Sequence, residues 1–537
     1  MKKNTKIMIA CVSCVAVLAA GMAVVLNLPS ENPETKEAST GESILLFDKT
    51  DLDVEEITVK NSSGQYELLG YSYRDEDDLN SSSASKESVS KAENSDSSSS
   101  AAESSEKKNE RSDGDELKII YTMQDHESEM LSKSLTDMLV NQCSYMAATQ
   151  IVDKSGKRYA EYGLDSPQAT VSVVYSDNSK VKMELGKDAP DQKGVYLKMD
   201  GDKYVYLVQS SMVDTFFYEK MQMFDRTVSV KYNSDYTIST VAVSGERFKE
   251  EIAITSEENK MNFCPYIMTK PRRELCDDSF VQSFGESVYG IEGTKVIAVE
   301  VKESDLNKYG LDKPYMKVNV TASDDSFVGV LVSKKDADGN CYIMEQGGTK
   351  VYQMAAEDLL WYDAQYDDFI KQEIVNPYQP NLKSIDISYK GKDYHYDYKR
   401  ETVINKKYEE TTKTDIFYQG ARINAQNVSL FNNNVSGILR NLSAPKTLDG
   451  CKELFRIQYT YDVETKDNSD TLILYTTSDD QCVAVLNGNI EAYTNKEYVQ
   501  ELLKQVALIP TKDDLTVLYD NAANNEYTET SESESDT

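Results

Sequence analysis

The chain has 537 residues and is strongly acidic, because 91 aspartates and glutamates outnumber 58 lysines and arginines to give a formal net charge of −33. A surface of this sign repels nucleic acid and anionic lipid headgroups, so neither is expected as a partner of that surface. The chain has two histidines, His126 and His395, and a histidine-based triad or metal site would have to use one of them. Neither lies in a recognisable catalytic signature.

The N-terminus predicts a membrane anchor. Lys2, Lys3 and Lys6 precede residues 7–28, which carry no charge and, at about 1.5 Å per residue, are long enough to span the apolar core of a bilayer. Cationic residues favour the cytoplasmic side, so a single-pass cell-membrane protein is expected, with its N-terminus in the cytoplasm and the bulk of the chain extracytoplasmic. A cleaved signal peptide ending near residues 19–21 is the alternative. The apolar run continues past that site, which favours an uncleaved signal-anchor.

A hairpin and a helix are predicted next. Strands at residues 57–60 and 66–68 flank Gly64, and a serine-rich, acidic insert at 80–116 follows, whose composition is typical of disorder. Residues 129–148 are predicted as a helix because their apolar residues recur at helical spacing and form one stripe. That stripe consists of Leu131, Leu135, Met138 and Leu139.

A six-residue repeat indicates that the chain copies one module. Residues 162–167 read YGLDSP and residues 309–314 read YGLDKP. Gly163 can adopt a backbone conformation closed to other residues, and Pro167 prevents a helix from continuing. Leu164 is expected in the core. The string therefore predicts a turn that leads into a strand.

Two-residue turns mark three hairpins at similar spacing. Such turns need positive φ at both positions, which selects glycine, asparagine and aspartate. The three turns are Asp200-Gly201, Gly347-Gly348 and Asn487-Gly488. A helix is predicted after each turn, most clearly at residues 496–507, where Thr494 and Glu497 would form a capping box. The third copy is diverged and has no YGLDxP string.

Each copy also begins with a pair of strands. Residues 241–245 and 385–388 resemble the leading strand at 57–60, and strands such as residues 181–185 alternate between apolar and polar side chains. This alternation is typical of an antiparallel sheet with one face in water and one face under helices. The expected fold class is α+β, as tandem repeated modules of antiparallel strand meanders with packing helices after one N-terminal transmembrane helix.

The length is enough for three modules that each bury a core of their own. Separate cores would let one module unfold without the others. The predicted segments are a cytoplasmic basic stub (1–6), the transmembrane anchor (7–28), module 1 (44–225) with its disordered insert (80–116), module 2 (230–372), the diverged module 3 (380–510) and a disordered acidic tail (521–537).

Some acidic residues admit a functional hypothesis beside a structural one. Asp165 and Asp312 of the repeated string would bind a ligand in the functional hypothesis, but the copied turn accounts for them more simply. Residues 336–340 read DADGN and place oxygen ligands at alternate positions, like the opening of a calcium loop. They lie between two predicted strands, where Asp-Gly makes a tight turn unaided, so the turn is favoured.

The cysteines do not indicate metal chemistry. Outside the anchor there is no CxxC pair, so zinc or iron–sulfur binding lacks its usual spacing. Cys264 and Cys276 are the nearest in sequence for a disulfide. We therefore predict no catalytic, cofactor-binding or metal-binding residue and no cofactor, and we expect that the protein is not an enzyme.

The order of these features resembles the domain-of-unknown-function 4340 family. The resemblance rests on the anchor, the leading hairpin, the YGLDSP string, the strand end Leu185-Gly186-Lys187, and Tyr196 with residues 205–208. It covers residues 44–220 well, apart from the insert, and residues 296–370 moderately. It implies a bacterial cell-envelope protein held by one N-terminal helix and often encoded beside ABC-type transporter subunits related to gliding-motility export. The family has no established catalytic residues.

The expected function is that of a membrane-anchored, extracytoplasmic, non-catalytic interaction or accessory protein, associated with an ABC-type transporter complex or other envelope proteins. The alternative is a cell-surface protein that binds a glycan or another extracellular ligand. In that case some of the 36 tyrosines would supply stacking surfaces. Half-buried places on sheet faces are the ordinary positions of tyrosine and are favoured here.

Overall fold

The computed structural model describes residues 43–73, 118–190, 194–256, 260–404, 410–441 and 444–519. The predicted anchor at 7–28, the insert at 80–116 and the tail at 521–537 lie outside these ranges. Within them, no helix is long and apolar enough to cross a membrane.

The fold class is α+β, as predicted, and antiparallel sheets outweigh helices. The three large sheets have eight, nine and eight strands, and one lies in each predicted module. The described residues form two compact units, one drawn from residues 43–120 and 137–218, the other from residues 121–136 and 219–519. Modules 2 and 3 lie in one unit, and a buried cluster within residues 374–515 fills the core of module 3.

Module 1 supplies the first large sheet. Its elements in chain order are β1 (Ile44–Asp48), β2 (Val54–Asn61), β3 (Gly64–Tyr73), β4 (Lys118–Met123), α1 (Lys133–Ser144), β5 (Tyr145–Ala148), β6 (Gln150–Asp153), β7 (Ala169–Tyr175), β8 (Lys180–Asp188), β9 (Val195–Met199) and β10 (Val205–Val208). Eight strands pair in the order β4-β3-β2-β7-β8-β9-β10-β6, and β1 pairs with β5. The hairpin predicted around Gly64 is confirmed as β2 and β3.

The helix predicted over residues 129–148 is shorter than expected. Helix α1 ends at Ser144, and the next four residues form β5, which pairs with β1. Leu139 of the predicted stripe is fully buried, whereas Met138 is exposed. Pairing with β1 satisfies the backbone of β5, and this tertiary contact overrides the local helical pattern.

Module 2 supplies the second large sheet. Its elements are β11 (Ile238–Ser244), β12 (Ile252–Ser256), β13 (Tyr266–Lys270), β14 (Glu274–Leu275), α2 (Asp278–Glu286), β15 (Lys295–Ala298), β16 (Met316–Ala322), β17 (Phe327–Val332), β18 (Asn340–Glu345) and β19 (Val351–Ala355). The strand order is β14-β13-β12-β11-β16-β17-β18-β19-β15. Asp277 caps α2, since its side chain accepts a hydrogen bond from Phe280 N at 2.8 Å.

Module 3 supplies the third large sheet. Its elements are β20 (Leu382–Tyr389), β21 (Lys392–Ile404), β22 (Glu410–Tyr418), β23 (Ala421–Arg422), α3 (Ala425–Ser436), β24 (Lys452–Tyr461), β25 (Ser469–Thr476), β26 (Cys482–Leu486), β27 (Asn489–Thr494) and α4 (Lys496–Gln505). The strand order is β23-β22-β21-β20-β24-β25-β26-β27. Phe431 of α3 and Leu502 of α4 belong to one buried cluster with Tyr459 of β24.

The three sheets share an order of seven strands and the same strand register. The shared orders are β4-β3-β2-β7-β8-β9-β10, β13-β12-β11-β16-β17-β18-β19 and β22-β21-β20-β24-β25-β26-β27. In each, a buried residue of the leading strand lies opposite one buried residue in the hairpin and another in the meander. In the order hairpin partner, leading strand, meander, these triplets are Tyr66–Val59–Val171, Ile252–Val243–Val318 and Tyr394–Ile387–Ile457. The repeat is thus a repeat of core positions.

The three predicted hairpins are present, but the turn geometry differs from the prediction at two of them. Asn487 and Gly488 both have positive φ, 52° and 86°, as expected. In the other two turns only the glycines Gly201 and Gly347 have positive φ, 77° and 81°. In each of these turns the glycine is the third of four residues, and the amide of the fourth residue donates the hydrogen bond that closes the turn. One residue with positive φ is therefore enough.

The closing helix is confirmed in module 3 only. Helix α4 buries Leu502, as predicted, but its N-cap is Asn495, whose side chain accepts from Tyr498 N at 3.2 Å. The predicted capping box of Thr494 and Glu497 is therefore wrong. After the first two hairpins the chain forms 3₁₀ turns, the first of them at Ser210–Met212 and Ala356–Asp358, in place of the predicted α-helices.

Candidate functional site

The repeated YGLDxP string forms the same turn in modules 1 and 2. In module 1 a 3₁₀ segment, Tyr159–Tyr162, ends at Gly163, whose φ of 74° is the left-handed conformation that favours glycine. In module 2 the segment Glu303–Tyr309 ends at Gly310 with a φ of 66°. In both copies the amide of the next leucine donates at 3.0 Å to the carbonyl five residues before it. The predicted turn is confirmed.

The leucine of each string is a core residue, as predicted. Leu164 is 5% exposed and Leu311 is 1% exposed. Leu311 packs with Met344 and Val351 in a small apolar cluster beside the meander of module 2. The string therefore covers part of the sheet, which accounts for its recurrence.

The tyrosine that opens each string packs against a tyrosine of the meander. The rings of Tyr162 and Tyr196 meet edge to face with centroids 4.8 Å apart, and those of Tyr309 and Tyr342 do so at 5.5 Å. The guanidinium of Arg158 lies 5.8 Å from the centroid of Tyr162. These rings already contact other side chains of the chain, which favours the packing role over ligand stacking.

A glycine in the following strand makes room for the string, a role that was not predicted from the sequence. A Cβ added at Gly186 would lie 2.1 Å from the carbonyl oxygen of Tyr162. In module 2 the residue that matches Gly186 is Ser333. A Cβ added at Gly310 would lie 3.7 Å from the Cβ of Ser333, so the contact there is looser. The glycine in the strand end Leu185-Gly186-Lys187 was the available signal.

The two aspartates of the string are both exposed. Asp165 lies in the first compact unit and Asp312 in the second. The structural role of the string does not depend on either carboxylate.

Residues 336–340 form the tight turn that the sequence favoured over a calcium loop. Asp336 Oδ1 accepts hydrogen bonds from the amides of Asp338 and Asn340 at 3.0 and 2.9 Å, and Gly339 has a φ of 84°. Among the residues that the structure describes, no group of three or more His, Cys, Asp or Glu side chains could hold a metal ion.

His126 belongs to a contact network within the second unit. Its Nδ1 lies 3.2 Å from a carboxylate oxygen of Glu300, and its ring packs edge-on against Phe224. Glu129, three residues later, accepts hydrogen bonds from the amide of Glu300 at 3.3 Å and from the hydroxyl of Thr349 at 2.6 Å. These contacts are those of a structural residue.

His395 lies between two carboxylates on the solvent face of the third sheet. Its Nδ1 is 2.5 Å from Asp386, directly across the strand pair, and its Nε2 is 3.1 Å from Asp397. The hydrogen bond to Asp386 is the largest cause of a pKa raised above the ordinary value of 6.5. All three side chains are about half exposed, so the electrostatic gain is screened by solvent.

The titration of His395 should follow that pairing. We expect its imidazole pKa, measured by NMR, to lie above 6.5, and Asp386→Asn should lower it. Because the folded-state pKa is raised, the stability that the pairing adds is complete below the unfolded pKa and is lost as the pH rises through the folded pKa. Asp393→Asn is the control, since Asp393 binds Ser388 instead. Equal shifts in both variants would contradict the assignment.

The cysteines that the structure describes are free thiols. Cys264 Sγ donates to the carbonyl oxygens of Tyr266 and Cys276 at 3.0 and 3.4 Å, so the two cysteines are neighbours without being bonded. Burial raises the pKa of Cys264 to about 11. A thiol in this state is a poor nucleophile and a poor metal ligand.

Four charged side chains meet where module 2 joins module 3, an arrangement that was not predicted from the sequence. This quartet consists of Arg272, Glu274, Arg440 and Glu491. Arg440 binds Glu274 at 2.8 Å and Glu491 at 2.6 Å. Arg272 also pairs with both glutamates, at 3.1 Å with Glu491. Both glutamate side chains are almost fully buried, and burial raises the pKa of Glu274.

The tip of the leading hairpin of module 2 also contacts module 3. This tip loop (residues 260–264) lies between β12 and β13 and contacts the segment before β20, the lead-in segment of module 3 (residues 376–381). The main-chain bonds are Phe263 N to Asn376 O and Tyr378 N to Met261 O, both at 2.8 Å. Asn262 is buried and donates to Asp470 Oδ2 at 2.9 Å. The two modules are thus joined by backbone, polar and charged contacts.

The comparison with known families agrees with the expected resemblance. Residues 128–297 and 268–449 match the family described as Domain of unknown function (DUF4340). The two stretches overlap and together cover more than half of the chain. The first begins after the leading hairpin of module 1, so the match is offset from the predicted module boundaries. No curated protein matches the chain. The chain therefore belongs to the DUF4340 family.

Proposed function

We propose that this protein is a membrane-anchored, extracytoplasmic, non-catalytic interaction or accessory protein that works with an ABC-type transporter complex. Repetition is the observation that carries the proposal. One order of seven strands occurs three times, and the string shared by modules 1 and 2 is used for packing. Copying a framework multiplies surfaces for partners, whereas a catalytic site needs one particular set of residues.

The compartment is proposed from the sequence of the N-terminus. Three lysines before an uncharged run at residues 7–28 favour an anchor with the modules outside the cytoplasm. Membership of the DUF4340 family supports the transporter partner only through the gene neighbourhood that the resemblance implied. The partner and the compartment are therefore separate parts of the proposal, and each needs its own readout.

Co-purification from native membranes tests the partner. The full chain with a C-terminal tag is extracted in mild detergent and captured, and the bound proteins are identified by mass spectrometry. We expect ABC-type permease or ATPase subunits to be enriched. The control is a fusion of residues 1–28 to an unrelated globular protein, which keeps the anchor and lacks the modules.

Two results would contradict the proposal. Equal recovery of transporter subunits with the control would assign the association to the anchor alone, and no recovery with either protein would remove the partner.

In protoplasts of the same cells, external protease should digest the modules. Protection of the large fragment would place the modules inside the cell and overturn the proposed compartment.

A further inference from the structure

An extended segment packs against the two helices of module 3. This strap (residues 513–519) comes after α4 and forms neither helix nor strand. Leu515 is 7% exposed and belongs to the buried cluster of module 3, and Leu518 packs against the same cluster. Between them, Thr516 and Val517 are exposed. The strap therefore inserts two leucines, three positions apart, and leaves the residues between them in water.

Two asparagines of α3 bind the main chain of the strap. Asn427 Nδ2 donates to the carbonyl of Asp513 at 2.8 Å, and its Oδ1 accepts from the amide of Leu515 at 3.5 Å. Asn434 lies about two helical turns further along the same face of α3. It makes the same pair of bonds, with the carbonyl of Thr516 at 2.9 Å and with the amide two residues later at 3.1 Å. Each side chain thus pairs with the strap as a neighbouring β-strand would.

These amides form a buried site together with a glutamine of α4. Asn427, Asn434 and Gln505 are 3%, 2% and 5% exposed. Gln505 Nε2 donates to the carbonyl of Thr516 at 3.0 Å, and its Oε1 accepts from Asn434 Nδ2 at 3.0 Å. Buried amides are costly unless they are paired, and the main chain of the strap supplies their partners. Because main-chain groups are common to every sequence, only the two leucine positions select a particular one.

The repeated framework does not account for the strap. Modules 1 and 2 have the same order of seven strands, and 3₁₀ turns at Ser210–Met212 and Ala356–Asp358 follow their last hairpins in place of α4. The helix pair with its buried amides is therefore an addition made in module 3. An addition that binds main-chain groups and two leucines has the properties of a peptide-binding site.

The strap can leave this site without disturbing the sheet. It pairs with no strand of the third sheet, so its release keeps every strand pair of that sheet. Val517 is 53% exposed and Tyr519 is 77% exposed, so these side chains add little buried area. Ordering an extended segment costs conformational entropy at each residue, which two leucines and a few hydrogen bonds only partly offset. We therefore expect local opening while module 3 stays folded.

We propose that the amides of Asn427, Asn434 and Gln505 form a peptide-binding site, which the strap occupies within the chain and an extended partner segment takes when the strap opens. The strap itself is the template for that partner, a protein segment with leucines three positions apart. The site goes beyond the proposed function, since it requires neither the anchor nor a transporter subunit. Purified chain and synthetic peptide test it, so its failure leaves the transporter association as a separate result.

An exchange assay tests the site. A protease recognition sequence is inserted between Lys512 and Asp513 of the full chain in detergent, so that after cleavage only its contacts hold the strap. A fluorescein-labelled peptide of residues 511–519 is added, and its anisotropy is measured. We expect the cleaved chain to bind the peptide. The uncleaved chain should bind it at least about tenfold more weakly, because the tethered strap competes at a high effective concentration.

Matched variants test the leucine and the amide contacts. In the peptide, Leu515→Ser should weaken binding by about tenfold or more, whereas Val517→Ser should change it by less than about twofold. These peptides need no change in the chain. In the chain, Asn434→Ala should also weaken binding. Its control is Asn433→Ala, because Asn433 is exposed and accepts a hydrogen bond from Gln379 instead.

Hydrogen exchange of the unmodified chain gives the second readout. The amides of Leu515 and Leu518 should exchange at least about tenfold faster than those of β24, because the strap opens locally. Equal protection of the strap and β24 would make the strap a fixed part of the core and overturn the proposal. So would a cleaved chain that binds no peptide, equal binding before and after cleavage, or a Leu515→Ser peptide that binds as tightly as the parent.

Discussion

Replacing Arg440 with methionine should lower the free energy of unfolding of the second compact unit by about 3–5 kcal/mol. Arg440 binds Glu274 and Glu491 at once, and both carboxylates are almost fully buried. Without it, two buried negative charges share the remaining Arg272. The loss is measured by urea unfolding of the chain, followed by circular dichroism.

An exposed ion pair of the same module supplies the control. Arg456 binds Glu453 through two hydrogen bonds, at 3.0 and 2.7 Å, but both side chains are about 40% exposed. Arg456→Met should therefore cost less than about 1 kcal/mol. Equal losses in the two variants would contradict the burial of the quartet. Because the quartet joins modules 2 and 3, Arg440→Met should shift one transition that both modules share.

Short-range patterns allowed most strands and turns to be predicted. The alternation at residues 181–185 and the turn at Asn487-Gly488 depend on neighbours along the chain, and both are present. The errors arose where a distant partner decided the local structure. Residues 145–148 continue a helical pattern, yet they form β5 because β1 lies beside them. Asn495 caps α4 in place of Thr494, because Thr494 is the last residue of β27 and pairs with Cys482 of β26, and asparagine is the stronger cap.

The junction between modules 2 and 3 was beyond prediction for the same reason. The quartet joins residues that are more than 200 positions apart at its extremes, and no spacing rule relates them. One signal was present in the sequence: Glu491 interrupts the apolar residues of β27, where a charge has to find a partner once it is buried. The sequence could therefore have indicated a buried ion pair at Glu491, but not Arg272 or Arg440 as its partners.

Truncating the leucine of the repeated string should also have a large effect. Leu164→Ala should lower the free energy of unfolding of the first unit by about 2–5 kcal/mol, and Leu311→Ala should do the same in the second unit. Each leucine is almost fully buried, and Leu311 contacts Met344 and Val351, so alanine leaves a cavity that the surrounding strands cannot close. Urea unfolding measures both changes.

Variants of the neighbouring aspartates are the matched controls, and they also test the alternative hypothesis that the string is a binding site. Asp165→Asn and Asp312→Asn alter exposed side chains of the same turns and should change the free energy of unfolding by no more than about 0.5 kcal/mol. If the string is structural, the leucine variants should lower the free energy of unfolding, and the aspartate variants should alter neither stability nor binding. Neutral leucine variants together with aspartate variants that abolish binding to a partner would show that the string is a repeated binding site. Two such sites on one chain would then act through avidity.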